Sequence, residues 1–248
     1  MGVGFLEADW GAPPGVHAGC TLRSGGMSAE PFATLNLGTH VGDDPAAVAE
    51  NRRLVREALL LPSDPLWLQQ EHGVGIIAAD APVTVGPADG AVTRQGGRVL
   101  AILVADCMPV LFASADGTVL GAAHAGWRGL AAGVLEATVA AMDVDPKGLS
   151  VWTGPHIGPD HFEVGDDVRA AFVAHDERAT TAFKANARGR WQCNLDLLAR
   201  QRLGALGVQR ITSAGLCTHS QAAQCFSYRR DGRTGRMAAL IWRAGATR

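Results

Sequence analysis

One stretch of the 248-residue chain sets a thiol and an imidazole where they can act together. In VLAILVADCMPVLFASADGTVLGAAHAGWRG, the pair Asp116-Gly117 stands between two apolar runs, the strongest short-range signal for a β-hairpin. With these two residues as the loop, the register places Pro109 opposite His124. Cys107, two positions before Pro109, then points to the same face as a diagonal neighbour of His124, with Cα atoms ~7–8 Å apart. A thiolate and an imidazole at that spacing can share one metal ion or one proton. Pro109 has no N–H for the ladder, which predicts a bulge or an edge position there.

Two more features flank this pair. Ala-Gly-Trp-Arg-Gly follows His124 and opens a predicted helix, so backbone N–H groups and Arg128 lie near the imidazole, an arrangement suited to phosphate. In LWLQQEHGVGI, His72 stands before Gly73 just after a predicted strand, a turn position from which a side chain can reach a site. Taken singly, a lone Cys is usually a small buried hydrophobe. The chemistry therefore depends on convergence.

The elements that must bring these residues together are four helices and about twice as many strands. Asp43 or Asp44 caps a first helix with Pro45 in its first turn, and Val48, Val55, Ala58 and Leu59 follow helical spacing. A second helix starts near Gly126 and runs through LAAGVLEATVAAM, a third covers about Asp166 to Ala174, and a fourth runs from about Asn194 to Leu206. Strand-like segments are Leu66–Gln69, Gly75–Ala78, Gly90–Thr93, Arg98–Ala105, Val110–Ser114, Val119–His124, Val151–Thr153, Arg210–Ser213 and Arg236–Trp242. That count excludes a strictly alternating βαβ barrel. It predicts an α+β fold, a single domain over residues 1–248 with mixed β-sheets covered by helices.

Composition narrows the classes further. The chain is 47% hydrophobic and 19% charged, enough to bury a core without disulfides or a structural metal, so a metal here is expected to serve chemistry. The net charge of −2 argues against a dedicated nucleic-acid binder or a membrane-surface protein. From Gln201 onward there are eight Arg and one acid, Asp231, a basic strip suited to an anionic small molecule or simply to solvent. The five Cys contain no CxxC pair, and the N-terminus MGVGFLEADWG lacks a basic start and an apolar run. The longest apolar stretch considered, Val99 to Ala105, is too short to span a bilayer. A cytoplasmic protein with reduced thiols is expected. Its oligomeric state is left open.

Several blocks in order, TLRSGGMS, LNLGTHVGDDPAAVAENRRLV, LQQEHG, ADCMPVL, AAHAGWRGL, GPHIGP with FEVGDDV, NLDLLARQRL and CTHSQAAQCFSYRRDGRTGRMAALIW, resemble the YfiH or laccase-domain family, also called multicopper polyphenol oxidase-like. The resemblance runs almost end to end and implies a YfiH-like fold. It also implies that His72, Cys107 and His124 hold one zinc per chain, with the fourth coordination position free as in catalytic sites. Thiolate and imidazole suit copper as well. The implied activities are phosphorolysis of adenosine, inosine and 5′-methylthioadenosine, and deamination of adenosine, with a nucleoside and phosphate as small-molecule partners. On this reading Cys107, His124, Arg128 and Asp106 are catalytic, with Arg128 on phosphate and Asp106 beside the metal ligands. Arg23, Asn36, Arg128, Tyr228 and Arg229 contact substrate, Arg230 lines the same cleft, and Arg233 and Arg236 are solvent-exposed. At GPHIGP many relatives carry Cys where this chain has His156, and His156 with His161 is a candidate for a second, weaker metal site.

Other functions use the same residues. Cys107 as nucleophile and His124 as base would make a metal-free thiol hydrolase acting on an amide in a cell-wall precursor or protein. A copper-dependent polyphenol oxidase with a trinuclear cluster needs repeated His-x-His pairs, and the eight His form none. A third reading is non-catalytic, with the ligands tying loops together.

Overall fold

The computed structural model describes residues 2–80 and 86–245; Arg248, part of the basic strip, lies outside them. The strands are β1 (Phe5–Glu7), β2 (Val16–Thr21), β3 (Leu66–Trp67), β4 (Ile76–Ala78), β5 (Gly90–Thr93), β6 (Leu100–Val104), β7 (Met108–Ala113), β8 (Leu120–Ala125), β9 (Ser150–Thr153), β10 (Glu163–Val164), β11 (Phe183–Ala185), β12 (Trp191–Cys193), β13 (Arg210–Ser213) and β14 (Met237–Arg243). The α-helices are α1 (Pro45–Ala58), α2 (Trp127–Ala132), α3 (Val134–Met142), α4 (Asp166–Val173), α5 (Leu195–Ala205) and α6 (Tyr228–Asp231).

Two mixed sheets carry the architecture, one ordered β1-β2-β14-β6-β3 and the other β13-β9-β7-β8-β5-β4, with a small β10-β12-β11 sheet at the side. Strand periodicity decides how they stack, because successive side chains point to opposite faces. On β6, Leu100, Ile102 and Val104 join Leu111, Leu120 and Trp152 of the second sheet in one buried cluster, as do Met237, Ala239 and Ile241 of β14. The alternate residues Ala101, Leu103, Ala238 and Leu240 pack instead with Val55 of α1 and with Leu35 and Leu37. On the far side of the second sheet, Val110 and Phe112 pack against Leu135 and Val139 of α3 and Leu198 of α5. The order of layers is therefore α1, sheet, sheet, helices, an α+β domain of mixed sheets covered by helices as the sequence predicts.

The hairpin register holds: Pro109 pairs with His124. Three local expectations change. The connection is wider than two residues, since the Ser114 N–H donates to the Val119 carbonyl at 2.9 Å and Gly117 adopts φ +70° within the turn. Pro109 makes neither a bulge nor an edge, because its carbonyl faces the β9 side and accepts the Gly154 N–H at 2.8 Å. Its nitrogen shares that side, beyond Thr153, the last β9 residue in the ladder, so no ladder bond is lost. The second helix is two helices, broken where Gly133 takes φ +105°, a conformation that ends α2 and starts α3.

Asp44 caps α1 by accepting the Ala46 N–H, and Asn194 caps α5 by accepting the Leu197 N–H, as their sequences require. The sequence reading passes over β1, β2, the three-stranded sheet and α6. Most of these are two to four residues long, shorter than a period can reveal, and β2 carries a glycine at Gly19 where the side chain of Phe5 closes over it. No helix among the described residues is long and apolar enough to cross a membrane.

Leu111 is fully buried between the two sheets, on the face that continues to His124. Its truncation removes apolar contacts and leaves a cavity that close-packed strands fill poorly. Leu111→Ala is expected to lower the unfolding free energy by about 2–5 kcal/mol, read from the shift of the denaturant midpoint.

Candidate metal centre and active-site cavity

The site lies where the chain crosses from one sheet to the other. β6 belongs to the first sheet and β7 to the second, and the bend Ala105–Cys107 joins them. Asp106 at its middle adopts φ +95°, an uncommon backbone conformation for a non-glycine residue. That bend places Cys107 just before β7 rather than within it. His124, near the end of β8, shares the inter-sheet face with Leu120 and Ala122. His72 occupies the turn after β3, with φ +63°.

The two imidazoles and the thiol converge: one ligand atom from each of His72, Cys107 and His124 lies within 4.8 Å of the other two. Cys107 Sγ is 3.7 Å from His72 Nε2, and the two rings meet edge to face with centroids 4.7 Å apart. Tetrahedral zinc with bonds of about 2.0–2.3 Å sets neighbouring ligand atoms roughly 3.3–3.8 Å apart, so this donor set fits a metal after small adjustments. Burial raises the Cys107 pKa, but the His124 and His72 imidazoles outweigh it and hold the thiol well below its ordinary value. Burial conversely lowers the His124 pKa, and Cys107 with Asp89 more than reverses that. Each partner therefore favours the charged form of the other.

Asp89, which the sequence reading missed, orients all of this. Its carboxylate is 2.8 Å from His124 Nδ1, which fixes the ring so that Nε2 faces the site. The same carboxylate accepts the backbone N–H groups of Glu71, His72 and Gly73 at 3.1, 2.9 and 2.6 Å. Nothing in the pattern around PADG marks this acid, because its partners come from a turn and a strand distant in sequence. Gly126 was also missed: a Cβ there would stand 2.8 Å from the His72 ring and 3.1 Å from Cys107 Sγ. Its role is space, since its φ of −63° suits any residue.

A cavity of about 770 Å³ opens over the three ligands. Leu68, Ile157 and Phe162 give it apolar wall, and Tyr228, Arg229, His40, Arg52 and Arg236 line it as well. Asp106 lines it too. Its carboxylate accepts the Thr218 hydroxyl and the Arg229 N–H, both at 2.6 Å, and so ties the Tyr228–Arg229 segment to the bend that carries Cys107.

Other candidate residues stand elsewhere. Arg128 is exposed and lies over the Trp127 ring at 4.6 Å, outside the cavity wall, and α2 has only six residues. Arg23 donates to the carbonyls of Ala33 and Ala222 and covers Phe226, away from the cavity. Asn36 is fully buried and serves by positioning, bonding Gly38 at both N–H and carbonyl and the Arg236 N–H. Arg230 donates to the carbonyls of Thr218, His219 and Cys225. Arg236, expected in solvent, is half-buried in the cavity wall, whereas Arg233 is exposed. His156 and His161 each have other partners: His156 Nδ1 bonds the Gly154 carbonyl at 2.8 Å and His161 stacks on His219. Among the described residues only His72, Cys107 and His124 group as metal ligands.

Residues 17–244 match the family model described as multi-copper polyphenol oxidoreductase laccase. The chain belongs to that family. A curated relative from Pseudomonas aeruginosa, named a purine nucleoside phosphorylase, is 52% identical over 96% of this chain and 98% of its own. The Escherichia coli relative, named purine nucleoside phosphorylase YfiH, is 46% identical with the same coverage. Among solved structures, a Neisseria meningitidis protein of the DUF152 family superposes with a TM-score of 0.93 at 45% identity, covering 97% of this chain and 99% of that one. YlmD from Geobacillus stearothermophilus gives 0.90 at 34% identity, covering 97% and 96%. Despite the family's name, this member carries one His–Cys–His group and no His-x-His pair, so its ligands fit a mononuclear centre.

Two substitutions test the geometry. Asp89→Asn puts amide hydrogens against N–H donors, and zinc affinity is expected to fall about 10–100-fold by chelator competition. Gly126→Ala is expected to hold zinc well below the wild-type stoichiometry while keeping its circular dichroism. In metal-free protein, alkylation of Cys107, followed by peptide mass, should reach half-rate well below the ~8.5 of a free thiol.

Proposed function

We propose that this chain is a zinc-dependent purine nucleoside phosphorylase acting on adenosine, inosine and 5′-methylthioadenosine, with deamination of adenosine as a second reaction at the same site. The observation that carries the reading is the His72–Cys107–His124 group at the base of a cavity large enough for a nucleoside. Relatives at 46% and 52% identity that are named purine nucleoside phosphorylases support it. His72, Cys107 and His124 would hold the ion. A zinc with an open position supplies Lewis acidity and lowers the pKa of bound water.

The chain's own groups do the positioning. Ile157 and Phe162 offer an apolar wall for the base, with the Arg229 guanidinium 5.3 Å from the Phe162 ring. Asp106 fixes Arg229 through its backbone and brings Tyr228 to the rim. In phosphorolysis a phosphate oxygen bonds to ribose C1′ as the C1′–N9 bond breaks. The electron pair leaves with the base, which takes a proton, and ribose 1-phosphate results. In deamination water adds at C6 and ammonia leaves. Both need a dry pocket that orients the substrate before bonds change, which is the service that apolar walls and fixed donors provide.

The Asp89–His124–Cys107 series favours a second reading, a metal-free thiol hydrolase acting on an amide such as one in a cell-wall precursor. Asp89 completes the acid–base–nucleophile order such an enzyme uses. His72 has no part in it.

One assay separates the two. Zinc-loaded protein is expected to release hypoxanthine from inosine only when phosphate is present, to lose this in chelator and to regain it with zinc. Cys107→Ala and His124→Ala should stay folded and lose at least about 100-fold in turnover. Activity that persists in chelator and disappears on alkylation assigns the site to thiol hydrolysis, and loaded protein that turns over no nucleoside removes the phosphorylase reading.

A further inference from the structure

We propose that Arg52, Arg236 and His40 form the oxyanion subsite of this cavity and hold inorganic phosphate as the co-substrate, a role that sequence alone assigns to Arg128. The assignment rests on the phosphorylase reading above and names which side chains take the phosphate. All three line the same cavity as the metal-ligating group, whereas Arg128 does not.

Charge is the first support. Arg52 and Arg236 are half-buried, yet neither appears among the ion pairs of the described residues, each of which joins a cation to a carboxylate within 4.0 Å. Burial and the facing charges of Arg236 and Arg52 both lower the His40 pKa, which places the three groups beside one another. Desolvating two guanidiniums with no carboxylate at ion-pair distance is unfavourable, since Asp106 and Cys107 act on Arg236 only from farther off, and an anion entering between them reduces the imbalance.

Donor geometry is the second support. The Arg52 guanidinium lies over the Trp67 ring at 4.0 Å and donates Nε and one terminal nitrogen to the Leu37 carbonyl. Its orientation is thereby fixed, and its other terminal nitrogen has no acceptor among the described residues. Arg236 commits one terminal nitrogen to the carbonyls of Thr234 and Gly235, leaving Nε and the other nitrogen for a ligand. Asn36 joins the two halves of the subsite, since it bonds Gly38 on the loop that leads to His40 and the backbone N–H of Arg236. Gly38 is required to be small there, because a Cβ would come within 2.8 Å of the Arg236 side chain.

Position is the third. Arg236 lies within electrostatic reach of Cys107, Asp106 and Tyr228, so it bridges the cationic wall and the metal-ligating end of the cavity. A phosphate held by Arg52 and Arg236 would share this cavity with a nucleoside seated against Ile157 and Phe162, which line it too. That is the relation a nucleophilic oxygen and ribose C1′ need.

The test uses zinc-loaded full-length protein and measures phosphate binding by calorimetry alongside the phosphate KM for inosine cleavage. Arg52→Gln and Arg236→Gln should each weaken phosphate by about tenfold or more, with zinc content and circular dichroism unchanged. Arg236→Lys should recover part of the loss, and Arg128→Gln should stay within about twofold of wild type. Wild-type phosphate affinity in both Gln variants, loss confined to Arg128→Gln, or no phosphate binding by the wild type overturns the assignment. If adenosine 5′-monophosphate binds through Arg52 and Arg236 and inorganic phosphate does not, the subsite serves an esterified phosphate and the co-substrate assignment is overturned. Phosphate binding that depends on these two residues without any nucleoside cleavage sustains the subsite and rejects the phosphorylase reading instead. Cleavage with an unaltered phosphate KM does the reverse.

Discussion

The carboxylate of Asp89 is the fixed point of the site. It is almost completely buried and accepts three successive backbone N–H groups of the His72 turn together with the His124 imidazole. A buried carboxylate is costly unless its oxygens are satisfied, and here four donors satisfy them. The same bonds oblige His72 to adopt its positive φ beside His124, so one anion sets both the position of one ligand and the tautomer of another. Backbone bonds of Gln69 with Ala88 and of Gly75 with Asp89 hold the flanks of the turn, and the Asp89 carboxylate holds the turn itself.

The two-sheet architecture supplies the remaining constraint. Because β6 and β7 belong to different sheets, the three residues joining them must cross the mouth of the sandwich, and Cys107 is delivered there. Small residues then let the parts close: Gly126 leaves room for the His72 ring and Cys107 sulfur, and Gly129 lets α2 approach the Gly73 carbonyl. Asp106, beside the thiol, reaches the opposite way and binds the C-terminal segment at Thr218 and Arg229. The cavity is thus bounded by segments from both halves of the chain, with Asp89 holding the His72 turn and Asp106 the Thr218 and Arg229 segment.

Its chemistry is mixed. Soft and borderline candidate ligands, apolar side chains, and cations held by stacking and carbonyl bonds all line the one cavity. The chain offers a candidate mononuclear centre, His72, Cys107 and His124, in a cavity that cationic side chains also line. It lacks the histidine repeats that a multi-copper oxidase requires, whatever the family is called.

The sequence by itself determined whatever depends on near neighbours. The Asp-Gly turn fixes the register that sets Pro109 opposite His124, Asp44 and Asn194 start their helices, and alternation on β6 and β14 dictates which residues face which layer. The three residues that group as candidate metal ligands were named there as well, two from the hairpin and His72 from the motif order. Only the tertiary structure decided their support and the ligand-facing charge. Asp89 acts on a turn and a strand that no local pattern connects to it, and Arg52 and Arg236 come together because α1 packs on the sheet that contains β14. Arg128 illustrates the converse, since closeness to His124 along the chain did not bring its side chain into the cavity. Periodicity and turn chemistry encode direction over a few residues, whereas the meeting of distant side chains is set by how whole layers close on one another.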